Sequence, residues 1–285
     1  FIDVTDKVRD ISSARGKNRD LERFSAGTLD VSLNNQTRYF DPFGGSELDP
    51  IPRVPIRYSY GGTAQFYGLI EDWNYSYNPG GVSYVEISAS DDFTQLARTT
   101  LEPSGSATPQ LSGARVNEVL DMFTVEWPSD RRDIDTGDTF LCTDQYEGQN
   151  ALEYLQLIDA SEQGQLFIGK DGDLVFRSRG ASTPRSAGLL KFADDGTGIA
   201  YNQVLVNYGS ELMANRAVVT SPTGTAVADN ELSQITYGVI ASELETLCAS
   251  QLTIDDIANY TVAKYANPEY RFESLLINLD SLDAA

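Results

Sequence analysis

Four acidic doublets, Glu71-Asp72, Asp91-Asp92, Asp194-Asp195 and Asp255-Asp256, are the residues whose types best suit chemistry in this 285-residue chain. Two carboxylates can hydrolyse a glycosidic bond, one as acid and the other as base or nucleophile. Such a pair is specified by separation in space, which position along the chain does not give. Local roles account for the doublets more simply. Asp255-Asp256 fall in the expected first turn of a helix, where negative charge meets the positive end of the dipole. Asp194-Asp195-Gly196 reads as a turn, and the segment to Gly198 lacks the alternating ligands and distal Glu of an EF-hand loop. There is no histidine, which removes the commonest general base and the usual zinc ligand. Two cysteines, Cys142 and Cys248, make neither a disulfide scaffold nor a zinc site; we expect both to be buried. No Gly-rich phosphate cradle and no nucleophile elbow occurs. The expectation is a protein without catalytic, cofactor or metal residues, and not an enzyme.

Two other sets suit binding. Arg9, Arg15, Lys17, Arg19 and Arg23 form the one basic cluster. Asp6, Asp10, Asp20 and Glu22 interleave with them, which weakens a nucleic-acid reading. A protein interface between subunits, where Arg pairs well with carboxylates, competes with a solvated loop. Trp73, Tyr75 and Tyr77 alternate along one strand face; such a row packs a core or an interface, or stacks on a sugar. Charge adds a constraint. The chain has 42 acidic and 21 basic residues, a net −21. Residues 1–60 hold 9 of each, so everything after Tyr60 carries the whole excess. DNA-binding surfaces need basic residues, and most of this chain would repel DNA. No apolar run approaches a membrane span, and no signal peptide is visible. Because the sequence begins at Phe1, we expect it to be part of something longer.

The elements that must position these residues are mostly strands. Gly27–Leu33 alternates Leu29, Val31 and Leu33 with polar partners, the pattern of a half-buried strand. Val54–Tyr60 alternates too, and Pro55 places it on an edge or makes it begin in a bulge. Phe66–Ile70 is a further strand. Asn78-Pro79-Gly80-Gly81 turns a hairpin whose return strand places Val85, Ile87 and Ala89 on one face. Asp91–Arg98 reads as a short helix. Glu102–Gly113 reads as a linker, followed by a helix with Val116, Val119, Leu120 and Phe123 inward. Asn150 caps a helix to Ser161 with Leu152, Leu155 and Ile158 inward, and Gly164 stops it. Asp171-Gly172 turns another hairpin, and Gly180–Gly188 is a second linker. Strands are expected at Tyr201–Tyr208, Arg216–Thr220 and Arg271–Leu279, with a helix around Ile254, Ile257, Ala258 and Thr261. The fold class is mainly β (α+β): two small β-barrel-like domains, residues 1–102 and 188–285, flank a helix-plus-β-hairpin domain at 103–187. Similar strand content suggests that the flanking domains are related.

The opening residues carry a resemblance. Asp3-Val4-Thr5-Asp6, Arg15-Gly16, Arg23-Phe24, Ala26-Gly27-Thr28, Leu33-Asn34-Asn35 and Arg38-Tyr39-Phe40-Asp41-Pro42 are similar, in type and order, to the start of minor tail proteins that form the tail-tip hub of long-tailed bacteriophages. Leu152–Arg179 and Asp194-Asp195-Gly196 with Tyr201-Asn202 continue the likeness. So do Asn215-Arg216, Ser233, Tyr237-Gly238 and Tyr265–Glu273, and the resemblance spans nearly the whole chain. It implies a homotrimer whose paired barrels form a pseudo-sixfold ring around the DNA exit channel. The implied partners are further copies of itself, the distal tail protein, the tape-measure protein and tip or fibre proteins. The implied location is the virion tail tip, after assembly in the bacterial host cytoplasm. Alternatives from the same residues are the hexameric distal tail protein, the anchoring region of a cell-wall hydrolase, and a carbohydrate-binding module.

Overall fold

Alternation of apolar and polar residues builds the first sheet strand by strand. A computed structural model of the chain describes residues 1–17, 23–42, 48, 50–102, 107–182 and 191–277. β1 (Val8–Gly16), β2 (Ser25–Asn34), β3 (Pro55–Tyr60), β4 (Thr63–Ser76) and β5 (Tyr84–Ser90) form an antiparallel sheet in the order β1-β2-β5-β4-β3. Leu29, Val31 and Leu33 of β2 and Val85, Ile87 and Ala89 of β5 are buried together with Phe40, Phe66 and Ile70. Pro55 does start an edge strand, where its missing N–H costs no ladder bond. The sheet curls into a half-barrel: the Arg15 guanidinium reaches from β1 across to the carbonyl of Gln65 on β4, 2.9 Å away.

Sequence alternation separates Phe66–Ile70 from the aromatic row, yet the two are one 14-residue strand, β4. The inward residues change parity along it, from Phe66 and Ile70 to Trp73 and Tyr75. A bulge between Ile70 and Asp72 makes this possible. Glu71 is the extra residue, and an inserted residue turns every later side chain of the strand to the opposite face.

The middle of the chain is a helical layer on a small sheet. α1 (Phe93–Ala97), α2 (Ser112–Leu120) and α3 (Ala151–Glu162) pack with β9 (Gln165–Ile168) and β10 (Leu174–Arg177), which form the expected hairpin. β7 (Arg132–Ile134), not foreseen, adds parallel to β10. A two-residue pair, β6 (Gln110–Leu111) with β8 (Phe140–Leu141), closes one side. The described part of the expected linker 102–113 is therefore folded: Ala107 is fully buried and α2 begins at Ser112. The 103–106 stretch, like 183–190 of the second linker, lies outside the described residues. α2 ends at Leu120, so Phe123 falls beyond it and is exposed, and Met122 takes the inward place. Asn150 caps α3 as expected, its side chain accepting from the amides of Leu152 and Glu153. Gly164 is not the left-handed stop; Gln163 takes that conformation, at φ 55°.

The last part has two hydrogen-bonded pieces. β12 (Arg216–Ser221) lies between β13 (Gly224–Asp229) and β14 (Ala241–Glu245), antiparallel to the first and parallel to the second. α4 (Glu231–Tyr237) joins β13 to β14. α5 (Gln251–Tyr265) covers the sheet, burying Ile254, Ile257 and Ala258 against Ala217 and Val219. β13, α4 and β14 have no counterpart among the elements expected from sequence. β11 (Tyr201–Tyr208) pairs only with β15 (Tyr270–Ile277) among the described residues. The first and last thirds share strand content but not strand order. By element count the chain is mainly β.

Candidate assembly surfaces

The acidic doublets resolve into local roles. Glu71, lifted out of the ladder by the bulge, bonds Arg53 at 2.9 Å, Arg98 at 3.2 Å and the Ser90 hydroxyl at 3.0 Å. Burial works against its charge, but these donors hold its carboxyl below the usual range. Asp91 and Asp92 join the first sheet to the middle layer. Asp91 accepts from the amides of Gly27 on β2 and Phe93 at the start of α1, at 2.7 and 3.0 Å. Burial raises its pKa to about 6. Asp92 pairs with Arg131 at 2.7 Å, whose guanidinium lies over the rings of Tyr67 and Trp127. Asp195 accepts from the amide and hydroxyl of Thr197, a turn as expected. Asp255 and Asp256 sit past the first turn of α5, because the helix starts at Gln251; Asp255 receives the Gln251 amide instead.

The basic residues spread along the N-terminal arm. Arg9 is exposed and lies over the Tyr84 ring. Arg15, six residues on and so about 20 Å away along a strand, makes the Gln65 bond. Lys17 lies over the Phe24 ring, and Arg23 donates to Gln156 of α3. Lys17 and Arg23 both act on the half-buried Asp159, whose carboxyl burial pushes up to about 7. Arg19 lies outside the described residues. In the aromatic row, Trp73 and Tyr75 pack on the first core. The Trp73 indole donates to the Ile51 carbonyl and its ring lies 6.3 Å from Phe40. Tyr77, just past β4, is exposed and stacks on Tyr75. Cys248 is buried and Cys142 half-buried.

Two buried polar centres are absent from the expectations drawn on sequence. Arg115 of α2 is fully buried and donates to the Tyr154 hydroxyl and the carbonyls of Thr108 and Cys142, all within 3.0 Å. Glu162 ends α3 and accepts from the Ser112 hydroxyl and the amides of Asp138, Thr139 and Arg179. Burial opposes its ionisation; the donors outweigh it and lower its pKa. Both residues are charged side chains at positions a helix wheel would place inward, which is the available signal. A third centre enters the sequence only through family likeness. Asn215, fully buried, donates to the Ser233 hydroxyl and Gly238 carbonyl and accepts from the Ile240 amide. Ser233 in turn donates to the carbonyl of Ala266. Segments far apart along the chain thus meet at one point. The opening motif behaves alike: the side-chain oxygen of Asn35 accepts from the Phe40 amide, fixing the turn that buries Phe40.

One surface differs from the rest. The β11–β15 ribbon exposes Leu205, Val206, Tyr208, Tyr270, Phe272, Leu275 and Leu276; Phe272 is 83% and Tyr270 78% accessible. Tyr208 and Tyr270 stack at 4.6 Å. Elsewhere in the last part, α4 exposes Leu232 and Ile235. No group of three or more metal-ligating side chains occurs among the described residues, and no described helix is long and apolar enough to cross a membrane.

This is the fold of phage tail proteins. The chain aligns with the 43 kDa tail protein of prophage MuSo2 from Shewanella oneidensis at a TM-score of 0.57 and 14% identity, over 93% of this chain and 75% of that one. A tail protein from Neisseria meningitidis MC58 aligns at 0.59 and 12% identity, over 90% and 70%. Prophage tail protein gp18 from Listeria monocytogenes EGD-e aligns at 0.51 and 8%, over 85% and 66%. No protein-family model and no curated protein sequence matches the chain.

Proposed function

We propose that this chain is a structural component of a phage tail, forming the tail-tip hub ring that joins the hexameric tube and distal tail protein to a trimeric tip and its fibres. The observation that carries the reading is a tail-protein fold followed over nearly the whole chain. The burial of carboxylates in structural networks agrees with it: Glu71, Asp91, Asp92 and Glu162 each hold elements together. The protein acts by geometry. A ring closes only when heterologous interfaces complete a circle, and three chains that each give two regions to the ring would match a sixfold tube above to a threefold tip below. Its partners are other copies, the distal tail protein, the tape-measure protein and tip or fibre proteins, and its place is the virion tail tip. The −21 charge suits a channel wall that passes DNA without holding it, since like charge leaves phosphates no site.

Electron microscopy of tails containing the chain tests the reading. Three copies per ring at the tip are expected. Six copies would identify a distal tail protein instead, and clearing of host cell walls by the purified chain would make it a hydrolase. A basic channel lining would refute the role given to the acidic excess.

A further inference from the structure

We infer that the free edge of β14 captures an extended peptide of a partner protein as an added strand, one whose side chains alternate basic groups with acidic or hydroxyl groups. β14 ends its sheet, and β12 is its only strand neighbour among the described residues. Successive residues of a strand turn their N–H and C=O groups to opposite edges. The Ile240 carbonyl accepts from the Arg216 amide and the Thr246 amide donates to the Thr220 carbonyl, so the even-numbered residues face β12. Leu247 faces the other way: its amide donates to the Ser161 hydroxyl at 2.7 Å and its carbonyl accepts from the Cys142 amide at 2.8 Å. The backbone groups of Ala241, Glu243 and Glu245 share that outer side, where no described strand pairs with them. Phe140 and Cys142 thus cover the chain just past β14 and leave β14 itself open. Unpaired edges recruit other strands, and proteins blunt them with proline or bulges. β3 begins at Pro55, and both β1 and β3 pair with register shifts. β14 has no proline and pairs in even register.

Charge selects the occupant. A cleft of about 770 Å³ lies along this edge, between β14, α3 and α5. Lys17, Arg23, Arg179 and Lys264 line it against Asp159, Glu243 and Asp256. Cations outnumber carboxylates there, in a chain with 42 acidic and 21 basic residues. Leu244 packs against the core under α5, while Glu243 and Glu245 are exposed. A strand laid beside β14 shares its two faces. On the Leu244 face, the side chains of the added strand enter the cleft. Carboxylates there meet the four cations, and a hydroxyl can donate to Asp159 Oδ1, which is shut off from water with no hydrogen-bond partner. On the opposite face, the side chains stand next to Glu243 and Glu245, where basic groups give favourable cross-strand pairs. The charge pattern therefore has the two-residue period of a strand. A nucleic acid or another uniform polyanion would set like charge against Glu243 and Glu245.

The probe is a fluorescent peptide about seven residues long that alternates lysine with glutamate or threonine, titrated against the full chain and read by anisotropy. Its control has the same composition with the lysines gathered in one block. The alternating peptide should bind at least about tenfold more tightly than the block. N-methylation of every second peptide amide tests the main chain. At one parity it should weaken binding at least about tenfold, and at the other leave it within about twofold. Glu243→Pro removes an N–H that serves no ladder bond in the fold; it should abolish peptide binding with thermal unfolding little changed. Failure of the alternating peptide to bind, equal binding of the two orders, or equal effects of methylation at both parities would overturn the inference. So would a Glu243→Pro chain that folds and binds as before. Peptide binding that disappears as the chain is concentrated would give the edge to a second copy and overturn it too. The methylation readout uses the unaltered chain, so it does not depend on how the proline variant folds. None of these outcomes bears on the number of copies in the ring.

Discussion

The middle layer and the β11–β15 ribbon handle apolar residues in opposite ways. Around α2 and α3 the apolar side chains close over one core, and within residues 107–182 only Phe123 and Phe140 remain as large exposed apolar groups among the described residues. Even its charged centres, Arg115 and Glu162, are buried, the Arg115 terminal nitrogens and the Glu162 carboxylate each hydrogen-bonded. The ribbon is also rich in large apolar side chains, and most of them face water. Folding rewards burial at roughly 25 cal/mol per Å², so the middle layer has collected its stabilisation and the ribbon has not. The first is closed as a folded unit; the second leaves most of its apolar side chains open among the described residues.

The sharpest way to break this comparison is at Arg115. Arg115→Met leaves the Tyr154 hydroxyl and two buried carbonyls without their donor, and should cost about 3–5 kcal/mol, read by urea unfolding. A loss no larger than that of Phe272→Ser would erase the distinction, because the ribbon substitution should change the isolated chain by no more than about 0.5 kcal/mol. Next in size is a pH effect at the joint between the first sheet and the middle layer. Asp91 has a folded pKa of about 6, above the unfolded value of about 3.9. Between those values the folded chain binds more protons than the unfolded one, so stability falls as pH rises from about 4 to 6. Glu162 has the opposite sign: its folded pKa is lowered, so its contribution is present above the unfolded value and is lost as pH falls through the folded one. Asp91→Asn should flatten the melting profile between about pH 4 and 6 and leave the acid limb, to which Glu162 contributes, in place. A variant profile parallel to wild type throughout would remove Asp91 from the joint. The smallest effect separates the aromatic row: Trp73→Ala should cost about 2–3 kcal/mol, while Tyr77→Ala should cost about 0.5 kcal/mol or less. Equal losses, or sugar binding abolished by either, would give the row a single role that its packing does not support.

Legibility in the sequence tracks the range of the forces involved. Alternation names β2, β5 and the edge strand at Pro55, because their faces see one core and solvent. Asn150 announces α3, because capping is settled within three residues. The Glu71 bulge is not legible, since nothing at Glu71 marks it as surplus until β5 supplies the register. β13 and β14 are hidden for a related reason. Gly224–Asp229 is short, with alanines as its buried residues, and Ala241–Glu245 carries two glutamates; the cover of α5 and the pairing to β12 make them strands. Of the candidate residues, the aromatic row lies on one strand face up to Tyr75, as its alternation suggests. The basic run looks like a cluster because sequence compresses distance that an extended strand restores. Arg115 and Asn215 are hidden because their partners come from segments far along the chain.

The extra residue in β4 bears on any comparison of this chain with distant kin. Upstream of Glu71 the core-facing positions are even-numbered, and downstream they are odd. A homologous strand built without that interruption must be matched with a one-residue gap at this point. Aligned straight through, its tryptophan-equivalent site would be paired with Asp72 or Asn74, and interior positions would be scored as solvent ones.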